Sequence, residues 1–343
     1  MSASPRVSVI VPVYNSEQTL PDCLDALQNQ TVPASTFEVI VVDDGSSDGS
    51  KDLPSFIPRV RFLSIHHQGP AAARNFGVQH ASGEILLFTD ADCVPCPDWI
   101  EKMIAPFEQA DIVGVKGAYL NHQRSLVARF VQAEYEGKYA RMEKERYIDF
   151  IDTYSAGYRR DIFLKQGGFD ISFSTSSVED QELSFRLATA GHKMVFVPAA
   201  RVVHLRHASN LKDYFLKKYK IGYWKVLVHK KHPSKLIHDS HTPPHLKIQI
   251  VILAIAIAFL LLGLMNPLAL GISAVFAGLF FITTLPFVYH TWRKDLSLAI
   301  ASPLILLTRT AALGLGFGHG LLNSILRRES YNPSSAPRKS GSD

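Results

Sequence analysis

The most constraining feature of the sequence is a long stretch without any charged residue, residues 248–287. It is broken only at Asn266-Pro267, and each half approaches the roughly 20 apolar residues that cross a bilayer. Such a stretch is too long and too apolar for the helices of a soluble core. We therefore expect two membrane spans, at about 248–265 and 268–289.

A third apolar segment, residues 296–326, is ambiguous because Pro303, Arg309 and several glycines interrupt it. Basic residues collect on the cytosolic side of membrane proteins, and a full third crossing would place the basic residues after 326 outside. A re-entrant or interfacial segment is therefore the preferred interpretation. The Ser/Pro-rich tail, residues 327–343, is expected to be disordered.

Basic residues are concentrated between residues 201 and 247, directly before the apolar segments, and the net charge is +5. Basic clusters in this position indicate anionic lipid headgroups rather than nucleic acid. With Tyr223 and Trp224, they make residues 211–247 a basic and aromatic interfacial segment. No signal-peptide pattern precedes Val7. We expect a multi-pass protein of the cell (inner) membrane whose catalytic domain faces the cytosol.

Up to residue 92 the sequence alternates between strand-like and helix-like segments. Strand, helix and strand at this spacing predict a parallel, Rossmann-like α/β domain. Neither a G-x-G-x-x-G after the first strand nor a P-loop is present, which argues against a dinucleotide enzyme. Phosphate would then be bound by a metal and basic side chains. The strand-like segments are residues 6–15, 37–42, 60–65 and 85–88, and the helix-like ones are 17–30 and 69–80.

Two carboxylates, Asp90 and Asp92, follow the apolar run 85–88. Residues i and i+2 of an extended backbone point to the same side, so both would leave the carboxyl end of the strand together. Open α/β sheets bind their ligands at that end. Such a pair is half of a site for a hard divalent cation that also holds phosphates. The alternative is a strand-to-helix turn in which Asp92 only caps a helix.

The cysteines do not form a disulfide framework. Cys93 and Cys96 make a C-x-x-C, and Cys23 is the only other thiol, so a four-cysteine zinc site is excluded. A redox pair and two incidental thiols both remain possible.

Seven short motifs, in order, resemble the signature of the family 2 glycosyltransferases over about residues 6–210. The resemblance implies a GT-A type of Rossmann-like nucleotide-binding domain with a mixed sheet, residues 1–210, followed by C-terminal transmembrane helices. It also implies transfer of a sugar from a nucleotide-diphosphate donor with inversion at the anomeric carbon. The motifs are VSVIVPVYN (7–15), VVDDGSSD (41–48), AARNFG (72–77), TDAD (89–92), GGFD (167–170), VEDQELSFR (178–186) and GH (191–192).

The same resemblance implies a donor site at the ends of the first strands. Asp43 and Asp44 match the carboxylate pair that holds the nucleoside, and Pro12 and Tyr14 would flank the base. Arg74 matches the basic residue near the nucleotide, although an exposed helix arginine is the alternative.

For the metal, the resemblance implies a D-x-D in which Asp92 binds Mn²⁺ or Mg²⁺ and Asp90 lies near the ribose or the metal. Many relatives carry a histidine after a later strand that completes the metal shell. His204 takes that place here, and neutral imidazole is a common ligand. His207 is its competitor.

Asp180 is the expected catalytic base, because a hydroxyl acceptor is a poor nucleophile until its proton is removed. The match after GGFD favours this role. The alternative is a carboxylate that only interacts with the dipole of the following helix. Glu182 and Arg186 are expected to form a structural i,i+4 pair.

The acceptor side departs from the processive members of the family, which carry a Q-x-x-R-W after the base. This chain has none between Asp180 and the membrane segments. We therefore expect a single transfer to a lipid-linked or membrane-embedded hydroxyl, in cell-envelope polysaccharide or glycolipid synthesis. The alternatives are a polyprenyl-phosphate sugar synthase, whose phosphate acceptor needs little base, and a catalytically inactive membrane scaffold.

Overall fold

One mixed β-sheet forms the centre of the N-terminal part of the chain, up to residue 204, and positions the candidate site. The computed structural model describes residues 5–51, 60–173, 178–236, 240 and 242–326. Within them, the sheet has the strand order β3-β2-β1-β4-β7-β6-β8-β5. The strands are β1 (Val7–Val13), β2 (Phe37–Asp43), β3 (Val60–Ser64), β4 (Ile85–Phe88), β5 (Cys93–Pro95), β6 (Ile112–Leu120), β7 (Ala156–Arg159) and β8 (Lys193–His204).

The N-terminal half of the sheet is parallel, as the alternation of strands and helices predicted. β1 pairs in parallel with β2 and β4, and β3 pairs in parallel with β2. β7 runs antiparallel to β4 and β6, which makes the sheet mixed. Within β1, Val9 and Val11 belong to one apolar core and Ile10 to the other. Both faces of this strand are thus covered, as expected for a parallel sheet.

Helices cover the sheet and then continue beyond it. Leu20, Leu24 and Leu27 of the first helix are buried, and this helix lies within the segment 17–30 that was predicted to be helical. The helices are α1 (Leu20–Gln28), α2 (Pro70–Gln79), α3 (Trp99–Ile104), α4 (Leu126–Met142), α5 (Arg160–Lys165), α6 (Glu179–Thr189), α7 (Leu211–Lys231), α8 (Pro244–Leu262), α9 (Pro267–Trp292) and α10 (Leu296–Leu326).

The last three helices are long and apolar enough to cross a membrane. α8 and α9 turn large apolar side chains outward, such as Leu261 (62% exposed) and Leu268 (75%). Residues 296–326 form one uninterrupted helix, α10, with Pro303 inside it. A continuous helix of this length could cross a membrane, and the re-entrant or interfacial position stays a prediction. The predicted tail, 327–343, lies outside the described residues.

α10 crosses α7 at a row of glycines. A Cβ on Gly222 of α7 would collide with the backbone of Leu313, and one on Gly316 would collide with the carbonyl oxygen of Tyr219. A Cβ on Gly320 would likewise collide with the carbonyl oxygen of Tyr223. Small residues let helix backbones approach closely, as at many helix crossings in membranes. The basic α7 is therefore fixed against α10.

A buried polar network joins the sheet-containing part to the apolar helices. Arg309 of α10 donates to Glu134 of α4 (2.7 Å) and to Gln249 of α8 (2.7 Å). Glu134 also accepts from Tyr214 (2.9 Å) and Lys218 (3.2 Å) of α7. A charged residue within an apolar helix is costly unless it is paired. Arg309 meets that need with a carboxylate of the sheet-containing part, so α10 lies against it at this level.

Candidate active site

The two carboxylates of the D-x-D lie in the turn between β4 and β5. A short strand follows Asp92, and the next helix begins only at Trp99, so Asp92 does not cap a helix. β5 pairs antiparallel with β8 in a register that places Cys93 opposite His204. Through this pairing, His204 Nδ1 lies 3.9 Å from Asp92 Oδ2. The sheet thus brings together two residues that are more than a hundred positions apart.

These residues fit a divalent cation that shares its coordination with a ligand. Ligand atoms of Asp92, Cys93 and His204 all lie within 4.8 Å of one another. Burial lowers the pKa of His204, which favours the neutral imidazole that metals bind. Burial also raises the pKa of Cys93 well above its usual value, so this side chain is a thiol. A protonated sulfur is a poor ligand for Mn²⁺ or Mg²⁺, which leaves Asp92 and His204 as the candidate protein ligands.

The imidazole ring of His207 packs against that of His204. The two imidazole rings are stacked with their centroids 4.2 Å apart. Burial and the neighbouring His204 lower the pKa of His207 to about 2, so its ring is neutral. Its Nε2 is buried without a hydrogen-bond partner among the described residues. The described cluster of possible metal ligands contains His204 and not His207.

An open pocket of about 490 Å³ lies beside the D-x-D, a size common for small-molecule sites. Tyr14 lies at its rim, 49% exposed, and its ring stacks on His67 with the centroids 4.2 Å apart. The two rings offer a flat platform on which a planar group can stack. The pocket brings together most of the donor-site residues predicted from sequence, namely Pro12, Tyr14, Asp44, Arg74, Asp90 and Asp92.

The pair Asp43 and Asp44 shapes the loops of this pocket. Asp44 accepts backbone hydrogen bonds from Gln68 (2.8 Å) and Gly69 (2.9 Å). Asp43 accepts from the backbone of Ser46 (3.2 Å) and lies outside the pocket lining. Both carboxylates are buried. Through these hydrogen bonds, the two carboxylates hold the loop after β2 and the loop before α2 in place.

Arg74 is buried, so the alternative of an exposed helix arginine is wrong. Its guanidinium donates to Asp90 Oδ1 (2.7 Å) and to Glu179 Oε1 (3.0 Å). Arg74 and Glu179 are only 2% and 3% exposed. Arg74 therefore connects the D-x-D to the residue that directly precedes Asp180.

Asp180 lies in the first turn of α6 and faces a second cavity, which also reaches Asp90 and His204. Burial raises its pKa well above the ordinary range, and Glu179 and Asp152 add to the rise. A carboxyl group with a raised pKa is matched to taking a proton near neutral pH. The predicted structural pair of Glu182 and Arg186 is present at 2.5 Å.

This second cavity, called the inner chamber below, encloses about 200 Å³. It extends from Asp90, Asp180 and His204 to α4, α7, the start of α8 and α10. Five basic side chains belong to its wall, and none of them is among the site residues predicted from the sequence. They are Lys138, Lys217, Lys218, Lys225 and Arg309.

Some of the site residues that were not predicted have a recognisable feature in the sequence, and others have none. Arg309 is a lone charge in an apolar segment, and such a charge calls for a buried partner. The lysines of α7 are recognisable in the sequence only as part of a basic segment. His67, which stacks on Tyr14, is one of 14 histidines and nothing local distinguishes it.

Comparison with known proteins gives matches to glycosyltransferases. Residues 8–167 match the family model "Glycosyl transferase family 2". Glycosyltransferase AglE of Haloferax volcanii is 42% identical over 33% of this chain and 40% of its own length. Glycosyltransferase GlyG of Streptococcus pneumoniae is 35% identical over 36% of this chain and 42% of its own. The chain thus spans about two fifths of the length of each of these relatives.

A solved structure matches nearly the whole chain. Mannosyltransferase PcManGT from Pyrobaculum calidifontis, in complex with GDP-Man and Mn²⁺, superposes with a TM-score of 0.59. The match covers 94% of this chain and 88% of the other, at 20% sequence identity. The likeness is one of fold, and it confirms the predicted GT-A architecture with its mixed sheet.

Proposed function

Because this chain belongs to glycosyltransferase family 2, we propose that it transfers one sugar from a nucleotide-diphosphate donor to a lipid-linked or membrane-embedded hydroxyl. The transfer inverts the anomeric carbon and depends on a divalent metal. One observation carries the proposal. The open pocket and the inner chamber are separate cavities, and both are lined by Asp90, His204 and Lys217.

The open pocket is the donor side. Tyr14 and His67 supply a stacking platform for the base, and Asp44 orders the loop beneath it. The diphosphate would extend from there toward Asp92 and His204, beside Arg206 and Lys217, which line the same pocket. These basic side chains offset the negative charge of the departing diphosphate.

Asp92 and His204 would hold Mn²⁺ or Mg²⁺, with Asp90 beside them. When bound, the metal supplies charge that stabilises the leaving diphosphate. Asp90 is already engaged by Arg74, so Arg74 orients this carboxylate toward the pocket. PcManGT, which shares the fold, is solved with Mn²⁺ and GDP-Man. Mn²⁺ is therefore the first metal, and GDP-mannose a first donor, to test.

Asp180 would take the proton of the acceptor hydroxyl. A single displacement with inversion needs one base and no covalent intermediate, and one carboxylate at the chamber end of the site fits this demand. Glu179, held by Arg74, keeps the start of α6 in place. Asp180 therefore approaches from the chamber, opposite the donor pocket.

The inner chamber is the acceptor side, because its far wall includes residues from α8 and α10. Both helices are apolar enough to lie in a bilayer. An acceptor anchored in the membrane would reach Asp180 along this wall. The proposal therefore includes a membrane location with the catalytic domain on the cytosolic side, and a role in making a cell-envelope polysaccharide or glycolipid.

The test is donor turnover by the full chain in detergent, with a panel of nucleotide sugars and with Mn²⁺, Mg²⁺ or a chelator. We expect metal-dependent release of nucleoside diphosphate from one donor, and loss of this release in Asp92→Ala. An Asp22→Ala variant, on the exposed face of α1, serves as the control and keeps the activity. Absence of turnover and of metal-dependent nucleotide binding would overturn the proposal and favour an inactive scaffold.

A further inference from the structure

A buried ion pair lies at the wall of the inner chamber. Lys116 of β6 is 1% exposed, and its ammonium group pairs with the carboxylate of Asp152, whose side chain is 9% exposed. The two residues meet because Lys116 lies opposite Ala156 of β7, and only the short turn Thr153–Ser155 separates Asp152 from that strand. Neither member of the pair lines the donor pocket or belongs to the candidate metal ligands.

Aromatic side chains surround the ammonium group of Lys116. It donates to the hydroxyl of Tyr154 (2.8 Å), which lies 2.9 Å from the hydroxyl of Tyr139. The ring centroids of Tyr154, Phe150 and Tyr139 lie 4.7, 5.6 and 5.8 Å from it. Burial lowers the pKa of Lys116, and the charge of Asp152 opposes this fall. Ring faces also attract a cation, so the ammonium group is held in one place.

The pair is oriented with its carboxylate toward the proposed base. Asp152 lines the inner chamber together with Asp180, whereas Lys116 does not line it. The negative end of the pair therefore faces the chamber, and the positive end lies behind it. A negative charge beside a carboxyl group opposes the loss of its proton. In agreement, the pKa of Asp180 is raised chiefly by burial, and Glu179 and Asp152 add to the rise.

The hydroxyl of Ser184 fixes the position of Asp180 relative to this pair. Ser184 lies one turn after Asp180 in α6 and donates to the carbonyl oxygen of Asp180 (2.7 Å). The same hydroxyl accepts from the backbone N–H of Ile151 (3.0 Å), the residue directly before Asp152. Ser184 is fully buried, so water does not compete for these hydrogen bonds. The distance between the two carboxylates is thus set by the fold.

Other charged and titratable groups also act on Asp180. Within the described part of the chain, no hydrogen bond or ion pair joins its carboxylate to the D-x-D or to His204. Asp180 shares the chamber with the five basic side chains named above and with Asp90, Glu134, His204 and His207. The groups of the surrounding elements that interact with it electrostatically include Glu179 of α6, Arg74 of α2, Lys116 of β6, Tyr135 of α4 and Tyr158 of β7. Variants that change only Lys116 or Asp152 leave the other contributions in place.

We propose that Asp152, held by Lys116, is a positioning residue that acts on the transfer through Asp180, by setting how tightly this carboxyl group holds its proton. The inference rests on the proposed function, in which Asp180 takes the proton of the acceptor. Asp152 makes Asp180 a stronger base, because its negative charge favours the protonated form. Lys116 limits this effect, because its positive charge offsets part of the field of Asp152. Asp180 can then still lose its proton between turnovers.

The pH dependence of turnover tests this role, because the two halves of the pair should act in opposite directions. We measure nucleoside diphosphate release by the full chain in detergent, at saturating donor and Mn²⁺, which rises with pH as the base loses its proton. Asp152→Asn removes the negative charge and should move this rise to lower pH by about one unit. Lys116→Met removes the positive charge next to Asp152 and should move the rise to higher pH.

Asp111→Asn gives a matched control. Asp111 forms an exposed pair with Lys193 (2.7 Å), so its loss should leave the pH profile in place. The inference requires both shifts, in opposite directions. A rise that stays in place in Asp152→Asn, or that does not move upward in a folded Lys116→Met, would overturn it, because a purely structural pair affects the rate without these shifts.

If Lys116→Met does not fold, the double variant Lys116→Met/Asp152→Asn replaces it. Removing both charges leaves no unpaired member, and the rise should still move to lower pH than in the unmodified chain. An unmoved rise in the double variant would overturn the inference.

A thermodynamic cycle tests the same interaction without any turnover. Asp180→Asn removes the cost of ionising a buried carboxyl group, so the gain in melting temperature should be larger at pH 8 than at pH 5. In an Asp152→Asn background this gain should be smaller at pH 8 and unchanged at pH 5. Equal gains in the two backgrounds at both pH values would overturn the inference. A protein that shows this coupling but turns over no donor would refute the proposed function alone.

Discussion

At the scale of single residues, the buried carboxyl group of Asp180 is expected to lower the stability of the fold while it serves as the proposed base. Its carboxyl group has a raised pKa in the folded protein because it is buried beside other carboxylates. In the unfolded chain, the pKa of an aspartate side chain is about 4. Stability therefore falls as the pH rises from that value through the folded pKa, because the folded state holds its proton more tightly.

Asp180→Asn should accordingly separate the two properties. We expect transfer to an acceptor to fall by about 10²- to 10⁴-fold, since a general base is lost. The melting temperature at pH 8 should equal or exceed that of the unmodified chain, with a smaller difference at pH 5. Thermal unfolding in detergent at both pH values, with donor turnover in parallel, checks this. Full transfer activity in the variant would favour a phosphate acceptor that needs no base.

Arg74 is the residue on which the geometry of the site most depends. Replacing it with methionine removes the ion pair of Arg74 with Glu179, which is buried at 3% exposure. Breaking a buried ion pair in this way costs about 3–5 kcal/mol. We expect a matching loss of unfolding free energy together with loss of turnover. Arg6→Met breaks the exposed pair with Glu108 and should cost at most about 1 kcal/mol. Similar losses in the two variants would contradict the bridging role.

At the scale of elements, the crossing of α7 and α10 depends on small residues. Gly316→Ala places a methyl group against the backbone of Tyr219, so one helix must move. Overpacking of this kind costs about 1–3 kcal/mol and should lower the melting temperature in detergent. Gly318→Ala, two residues away with open space around it, should be neutral or slightly stabilising. Equal effects at the two positions would show that the helices do not pack as described.

At the same scale, local sequence patterns predict some features of the fold and not others. The strands before residue 92 and the place of the D-x-D follow from local patterns, because an apolar run and a polar end are features of one segment. The residues that they contact across the fold cannot be predicted from such local patterns. Arg74 meets Glu179, and Glu134 meets Arg309, across more than a hundred residues. Such contacts depend on how elements pack, and no local pattern encodes that.

The inner chamber shows the same limit. Its basic side chains come from α4, α7 and α10, and each helix alone looks like an ordinary charged or apolar helix. Only the packing of α10 against α7 brings Arg309 to the lysines. The sequence feature that points to the chamber is the lone Arg309 in an apolar segment. It predicts a buried partner but does not identify that partner.

At the scale of the whole molecule, we propose that the hairpin of α8 and α9 crosses the membrane and that the sheet lies on the cytosolic side. Met265 lies at the turn between these helices and is 89% exposed. In a Cys96→Ser background, Met265→Cys should react with a membrane-impermeant maleimide in intact cells, since Cys23 and Cys93 are buried. Asp22→Cys, on the surface of α1, should react only after permeabilisation. The reverse pattern would invert the orientation.

The most direct measurement of the central claim follows the sugar itself. The full chain is incubated with a donor that it turns over, labelled in the sugar, together with Mn²⁺ and lipids extracted from its native membrane. We expect the label to move into the organic-extractable lipid fraction, and Asp92→Ala and Asp180→Asn each to prevent this. Label that is released only as free sugar in water, whatever lipid is supplied, would contradict a membrane acceptor.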